Sequence, residues 1–463
     1  MKKKIFAIGL SCFIFLFNLI SVSCNELQME TTEIPNWPSA PDISAEAAIL
    51  LEANTGIILY SKNIHAHLFP ASTTKMMTAL LAAENCEMDE TVKFSYDAVF
   101  SLESGSSNIG IDPGQYMPME ECLYGLLTAS ANEVANAIGE HVSGSMDDFV
   151  NDMNKRATEL GLKDTHFMNP SGLHDNNHYT SAYDLAIIAK EFFGNDDLLK
   201  IGNTPSHHFE PSEGQPDDFY VRNKHKLISG EIPYAGIKGG KTGYTEKAGE
   251  TLVTMCEQDG MKLICVVLKD ESPEQFQDTV RLFDYGLSNF KVTNISENET
   301  GFSIKSNDFF PTSVDILGSS KQILELDTDN YIIMPTNITF KNLEREVSYD
   351  TLYDNEIVYI YYSYHGVDLG HGVVKLKGAD VVTSVFDDNL EEVKEETVIE
   401  KEKPTYINVV QIAKYVVIVG GIGILLSFII SFFVNYNVVD NIKKNKKTKV
   451  KKSHRREKSK LKF

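Results

Sequence analysis

Pro70-Ala71-Ser72-Thr73-Thr74-Lys75-Met76-Met77-Thr78-Ala79-Leu80 is the stretch on which the reading of this chain turns. Proline followed by Ser and Thr, just ahead of an apolar run over 76–83, is a helix N-terminal signal. Ser72 and Lys75 are three apart, so on a helix they share a face. A hydroxyl and an amine placed together can act as nucleophile and base. Alone the pattern is cheap, and it equally describes a helix cap followed by an exposed lysine. Two further stretches change its weight.

Outward from this helix the chain alternates between strand and helix signals. Residues 48–60 are two apolar runs around Asn54-Thr55-Gly56, a hairpin signal. Helical stretches are expected at 73–84, 118–142, 146–160 and 181–192. A second hairpin runs over 251–257 and 261–268 around Asp259-Gly260, and 278–290 reads as a closing helix. Strands at both ends with helices between predict an α+β domain over 45–290, with a mainly antiparallel sheet. From 291 to 385 the pattern changes to short β-rich runs, such as Ile332-Ile333-Met334 and 356–364, and predicts a small all-β domain.

Both ends address a membrane. Lys2-Lys3-Lys4, an apolar run over 5–20 and Ser21-Val22-Ser23 make 1–23 a secretory signal peptide. Cleavage there leaves Cys24 first. That position also suits a lipoprotein, although Ser21 stands where leucine is usual. Residues 24–44, with Pro35, Pro38 and Pro41, read as a linker, and 386–410 as an acidic spacer. The 20 residues of 415–434 carry no charge, enough to cross a bilayer, so 411–436 is read as a transmembrane helix. The basic tail 437–463 then lies in the cytoplasm, against anionic lipid, and the body lies outside.

The net charge of −22 hides an asymmetry: 441–463 carry +11 and 1–24 carry +3, leaving −36 for 25–440. So acidic a body is unsuited to nucleic acid, whose binding rests on phosphate neutralisation. Hydrophobic residues at 42% and charged residues at 23% place the rest among ordinary globular chains. Cys86, Cys122, Cys256 and Cys265 show no CxxC spacing, so the cysteines indicate no metal site and are expected as free or buried thiols.

The second stretch is Ser130-Ala131-Asn132, two polar residues in an apolar run. The third is Gly239-Gly240-Lys241-Thr242-Gly243-Tyr244-Thr245, next to the second hairpin. Its glycines permit close backbone approach, and Lys241 and Thr242 add charge and a hydroxyl. The spacing of a phosphate loop is missing. S-x-x-K, S-x-N and K-T-G occur in that order at intervals of 58 and 111 residues. They form the motif set of the penicillin-binding serine acyltransferases.

The sequence resembles the D-alanyl-D-alanine carboxypeptidases, the low-molecular-mass penicillin-binding proteins of bacteria, over about residues 45–385. The flanks carry the likeness too: Ala53-Asn54-Thr55-Gly56, Asp112-Pro113-Gly114, Gly161-Leu162-Lys163-Asp164-Thr165-His166-Phe167, Asn169-Pro170-Ser171-Gly172-Leu173-His174, His178-Tyr179-Thr180-Ser181-Ala182-Tyr183-Asp184 and Asp284-Tyr285-Gly286-Leu287. The resemblance implies a penicillin-binding/β-lactamase-like transpeptidase domain, a helical cluster and an antiparallel sheet with the site between. It implies Ser72 as nucleophile, Lys75 as base and Ser130 as proton relay. Asn132, Lys241, Thr242, Gly243 and Tyr244 would bind substrate, and the backbone N–H groups of Ser72 and Tyr244 would form an oxyanion hole. The implied partners are peptidoglycan stem peptides and β-lactam antibiotics, with no metal or cofactor. Gln275 stands where the family usually carries an arginine for the substrate carboxylate, so the resemblance implies either weaker carboxylate binding or its replacement by Lys224 or Arg222. The same serine could serve an endopeptidase or transpeptidase, or persist in a catalytically weak wall-binding scaffold. A second domain and a membrane span fit a wall-bound enzyme better than a β-lactamase.

Overall fold

The computed structural model describes residues 34–103, 105–299, 324–349 and 356–376. The segments expected as signal peptide, acidic spacer, transmembrane helix at 411–436 and basic tail lie outside them. Among the described residues no helix is long and apolar enough to cross a membrane.

The domain expected over 45–290 is built on a five-stranded antiparallel sheet. Its strands are β1 (Ala47–Glu52), β2 (Ile58–Lys62), β3 (Ile237–Thr245), β4 (Gly249–Gln258) and β5 (Met261–Asp270), in the order β2-β1-β5-β4-β3. Side chains alternate between sheet faces. Ile49, Leu51, Val253, Met255, Ile264 and Val266 enter a core shared with the helical cluster. Ala48, Leu50, Leu252, Cys256, Leu263 and Cys265 enter a second core on the opposite face. Burial on both faces explains why these strands read as continuous apolar runs instead of an apolar–polar alternation.

The helical cluster contains α1 (Lys75–Asn85), α2 (Asn132–Ser143), α3 (Met146–Glu159), α4 (Ala182–Gly194) and α5 (Asp196–Gly202). Ser145, Ser181 and Asn195 cap α3, α4 and α5 by accepting backbone N–H bonds. The closing helix α6 (Glu274–Asn289) starts four residues earlier than the sequence predicts and covers the far face of the sheet with Phe276, Leu282 and Phe283.

Two expectations change. The helix expected over 118–142 is three pieces: Met119–Tyr124, a π-helical turn at Gly125–Ala129, and α2 after a left-handed Ser130 (φ 62°). The part of the expected linker that is described, 34–44, is packed. Ile34, Trp37 and Ile43 are buried in the second core, and Ser44 Oγ donates to Asp270 and Asp278. The prolines read as a linker, and nothing local in the sequence shows that the segment is laid on the sheet.

Past α6 the chain is β-rich, as predicted. Phe290–Asn294 pairs with Tyr331–Pro335, and a four-stranded antiparallel sheet joins Leu324–Leu326, Val367–Leu376, Glu356–Tyr364 and Glu344–Ser348 in that order. Ile332, Ile333, Val358 and Ile360 join the second core, so this domain closes the sheet's far face.

Candidate active site

Ser72 lies in a 3-10 turn, Ala71–Thr74, and Lys75 opens α1 directly after it. The turn is held from three sides. Thr73 Oγ1 and Thr251 Oγ1 both donate to the Pro70 carbonyl, at 2.7 and 2.9 Å. Ala71 adopts φ 48°, a left-handed conformation that costs an alanine roughly 1 kcal/mol. Gly172 packs against it so closely that a Cβ there would stand 1.8 Å from the Ala71 oxygen. A left-handed, close-packed position of this kind admits only glycine.

The Lys75 side chain is wholly buried. Its Nζ donates to Asn132 Oδ1 and to the Ser171 carbonyl, both at 2.6 Å, and lies 3.1 Å from Ser72 Oγ. A neutral amine has two N–H bonds and one lone pair. Nζ thus has three partners, with Ser72 Oγ the third; when the amine is neutral, its two N–H bonds serve Asn132 and Ser171 and its lone pair is left for the serine hydroxyl. Burial first, then the charges of Lys241 and Lys224, holds Lys75 well below the ordinary lysine range, while Glu133 opposes the shift.

Lys241 sits on the edge strand β3, buried, with Nζ donating to Ser130 Oγ at 3.0 Å and to the Thr242 carbonyl at 2.8 Å. Burial and Lys224 lower its pKa to about 7. The left-handed turn at Ser130 directly follows the π-helical segment, and its hydroxyl meets Lys241; π-turns of this kind recur at functional sites. Asn132, two residues on, opens α2 and faces Lys75. Gly243 brings β3 against the nucleophile: a Cβ there would lie 2.7 Å from Ser72 N and 2.4 Å from Thr251 Oγ1. Thr242 is half-buried and Tyr244 is 61% exposed on the same strand.

The structure also separates Lys224 from Arg222. Lys224 Nζ donates to Ser107 Oγ at 2.7 Å and its charge reaches both site lysines. Arg222 is exposed and bonds Ser229 O and Glu231. Gln275 is buried at the start of α6, its Oε1 without a hydrogen-bond partner.

Sequence reading quoted Ser171 and His178 without a role. Asn169 Oδ1 gathers Ser171 N, Ser171 Oγ and Gly172 N, which presents the Ser171 carbonyl to Lys75. His178 Nδ1 accepts from Met168 N, so its Nε2 carries the proton and donates to Thr74 Oγ1. Burial pushes this imidazole down to about 3, so it stays neutral. A carbonyl acceptor leaves no side-chain signature, which is why spacing did not reveal it.

The lysine pKa shifts bear on stability. Between about 7 and 10.5 the unfolded chain binds a proton at Lys241 that the folded protein has released, so stability rises with pH across that window. Urea unfolding at several values between about pH 7 and 9 is expected to show this rise, and Lys241→Met to flatten it. An unchanged slope in the variant would place the linkage elsewhere.

A serine and two buried lysines between a helix start and a sheet edge define a serine acyltransferase site of the penicillin-binding class. The chain matches the profile of the D-alanyl-D-alanine carboxypeptidases (peptidase family S11) over residues 34–272, just over half its length. It is 37% identical to D-alanyl-D-alanine carboxypeptidase DacF of Bacillus subtilis over 268 residues, 56% of this chain and 67% of that one. It is 28% identical to DacA of Escherichia coli K12 over 309 residues, 64% and 72% of the two chains. Among solved structures, a D-alanyl-D-alanine carboxypeptidase of Mycobacterium tuberculosis superposes with a TM-score of 0.51 at 28% identity, covering 55% of this chain and 95% of that one. Penicillin-binding protein 6B of Escherichia coli shares the fold with a TM-score of 0.56 at 23% identity, over 73% of this chain and 98% of that one. The chain belongs to the D-alanyl-D-alanine carboxypeptidase family and is an enzyme of the serine carboxypeptidase type.

Proposed function

We propose that this enzyme removes the terminal D-alanine from peptidoglycan stem pentapeptides through a Ser72 acyl-enzyme, limiting cross-linking, and that penicillin acylates the same serine. The observation that carries this is the Lys75 amine, wholly buried, held by Asn132 Oδ1 and the Ser171 carbonyl at 2.6 Å and placed 3.1 Å from Ser72 Oγ.

Lys75 takes the hydroxyl proton as Ser72 attacks the carbonyl between the two D-alanines. The backbone N–H groups of Ser72 and Tyr244 stabilise the oxyanion, each worth about 3–4 kcal/mol. Ser130, held by Lys241, returns a proton to the departing D-alanine amine. Asn132 bonds the substrate backbone. Lys241, Thr242 and Gly243 form the wall that receives the terminal carboxylate, and Lys224 supplies the second positive charge in place of the family's arginine. Water then releases the acyl group. The body works outside the cell, tethered by the span at 411–436 with its tail inside.

Incubation of the full chain with a D-Ala-D-Ala pentapeptide, read by mass spectrometry, is expected to show loss of one alanine. A substrate left intact would defeat the proposal. Transfer of the acyl group to an added amine in preference to water would identify a transpeptidase using the same site.

Lys224 gives a sharper check. Removing its charge in Lys224→Met raises both Lys75 and Lys241 toward ordinary lysine values. The rising limb of the pH–rate profile is expected to move to higher pH, with KM for the free-carboxylate peptide up roughly tenfold, one charge-assisted contact. An unmoved limb would remove Lys224 from the site.

A further inference from the structure

At the end of α1 opposite Ser72, three side chains of different chemistry converge. Cys86 follows the helix directly, Glu90 lies in the turn before the short strand Thr91–Lys93, and His141 sits in the last turn of α2. Their ligand atoms all lie within 4.8 Å of one another, and His141 Nε2 is 3.0 Å from Glu90 Oε2. None of the three takes part in the proposed reaction.

We propose that Cys86, Glu90 and His141 bind one divalent ion of the zinc class. Thiolate, imidazole and carboxylate together are the donors zinc prefers, whereas calcium and magnesium favour oxygen alone. Tetrahedral ligands at 2.0–2.3 Å from zinc lie about 3.3–3.6 Å apart, so the three atoms need only small side-chain rotations. The backbone at each position is already held. Cys86 N donates to Ala82 O, Met119 N donates to Glu90 O, and His141 belongs to a helix. Glu90 Oε1 accepts from Glu87 N at 2.8 Å, which orients the carboxylate and leaves Oε2 for the ion. All three residues are half-buried, so solvent supplies both the approach and a water as fourth ligand.

Binding replaces the Cys86 S–H bond with a metal–sulfur bond and releases that proton to solvent. Cysteine spacing carries no trace of this site, because the partners of Cys86 are a glutamate four residues on and a histidine from another helix. The ion would pin the C-terminal end of α1 to the C-terminal end of α2. Those are the helices whose opposite ends present Lys75 and Asn132.

Cobalt(II) is the probe, because its bond to thiolate absorbs in the near ultraviolet. Titration of the reduced full-length protein is expected to give a charge-transfer band that saturates at one equivalent and is reversed by zinc. Cys86→Ser is expected to abolish the band, and His141→Gln to weaken affinity by tenfold or more. Zinc is expected to raise the Tm of the wild-type protein and leave that of Cys86→Ser unchanged. His67→Gln, which removes an exposed histidine paired with Asp164, is expected to bind as wild type. Circular dichroism checks that each variant is folded, and His141→Gln carries the test if Cys86→Ser is not. A wild-type protein without the band, a band that survives Cys86→Ser, or unchanged affinity in His141→Gln would each overturn the proposal.

Discussion

A Ser72→Ala protein is expected to gain no mass on incubation with penicillin and to lose on the order of 10⁴–10⁶-fold in kcat on D-Ala-D-Ala peptides, the scale seen when a hydrolase loses its nucleophile. The reasoning separates chemistry from fold. Ser72 is half-buried in a 3-10 turn that makes no side-chain cap, and the turn is held by Thr73, Thr251 and Gly172. Removing one partly exposed hydroxyl from such a position changes stability by no more than about 0.5 kcal/mol. Circular dichroism and the unfolding midpoint should therefore match the wild type while acylation vanishes. Intact-protein mass spectrometry reads the adduct directly. A Ser72→Ala protein that still gains the penicillin mass would move the nucleophile to another residue.

The second large effect is expected at Lys75. A general base contributes about 10²–10⁴-fold, so Lys75→Met should slow acylation by that factor. A charge-only role makes a different forecast, and Lys75→Arg distinguishes the two. Arginine keeps the positive charge but stays protonated at every working pH, so it offers no lone pair to the serine. If Lys75 is the base, Lys75→Arg is as slow as Lys75→Met. If Lys75 only supplies charge, Lys75→Arg retains most of the rate. The wild-type rate should rise with pH as Lys75 loses its proton, at a pH well below that of an ordinary lysine. That limb should be absent from both variants. The methionine variant also leaves Asn132 Oδ1 and the Ser171 carbonyl without their donor, a loss of about 1–3 kcal/mol for each buried acceptor, offset in part by removing a buried amine. Rates should therefore be measured well below the variant's unfolding temperature. A limb that persists in Lys75→Arg would assign the proton to another group.

Much of this was legible in residues alone. Ser72, Lys75, Ser130, Asn132 and Lys241 were singled out by order and interval, and the structure brings Ser72, Lys75 and Asn132 into one hydrogen-bonded group and Lys241 with Ser130 into another. The two hairpins, Ala47–Lys62 and Gly249–Asp270, were readable because each is a pair of apolar runs around an Asn-Thr-Gly or Asp-Gly turn. Local propensity speaks clearly there because the signal and the structure are both local.

What the sequence could not determine is long-range. The break at Ser130 lies inside a run whose periodicity suits a single helix; the left-handed turn persists because the surrounding fold holds it against local preference. The segment 34–44 was read as a linker because prolines report backbone stiffness, not what the chain rests on. The Ser171 carbonyl at Lys75, the Gly172–Ala71 contact and the placing of Lys224 against Ser107 depend on residues 96, 101 and 117 positions apart meeting in space. The depressed lysines follow from burial beside other cations, which only the packed protein creates. By itself the sequence determined which chemical groups the enzyme possesses and, through motif order, which family it belongs to. Tertiary structure alone decided where those groups point and how they titrate, because direction and desolvation arise from packing between segments that no local pattern encodes.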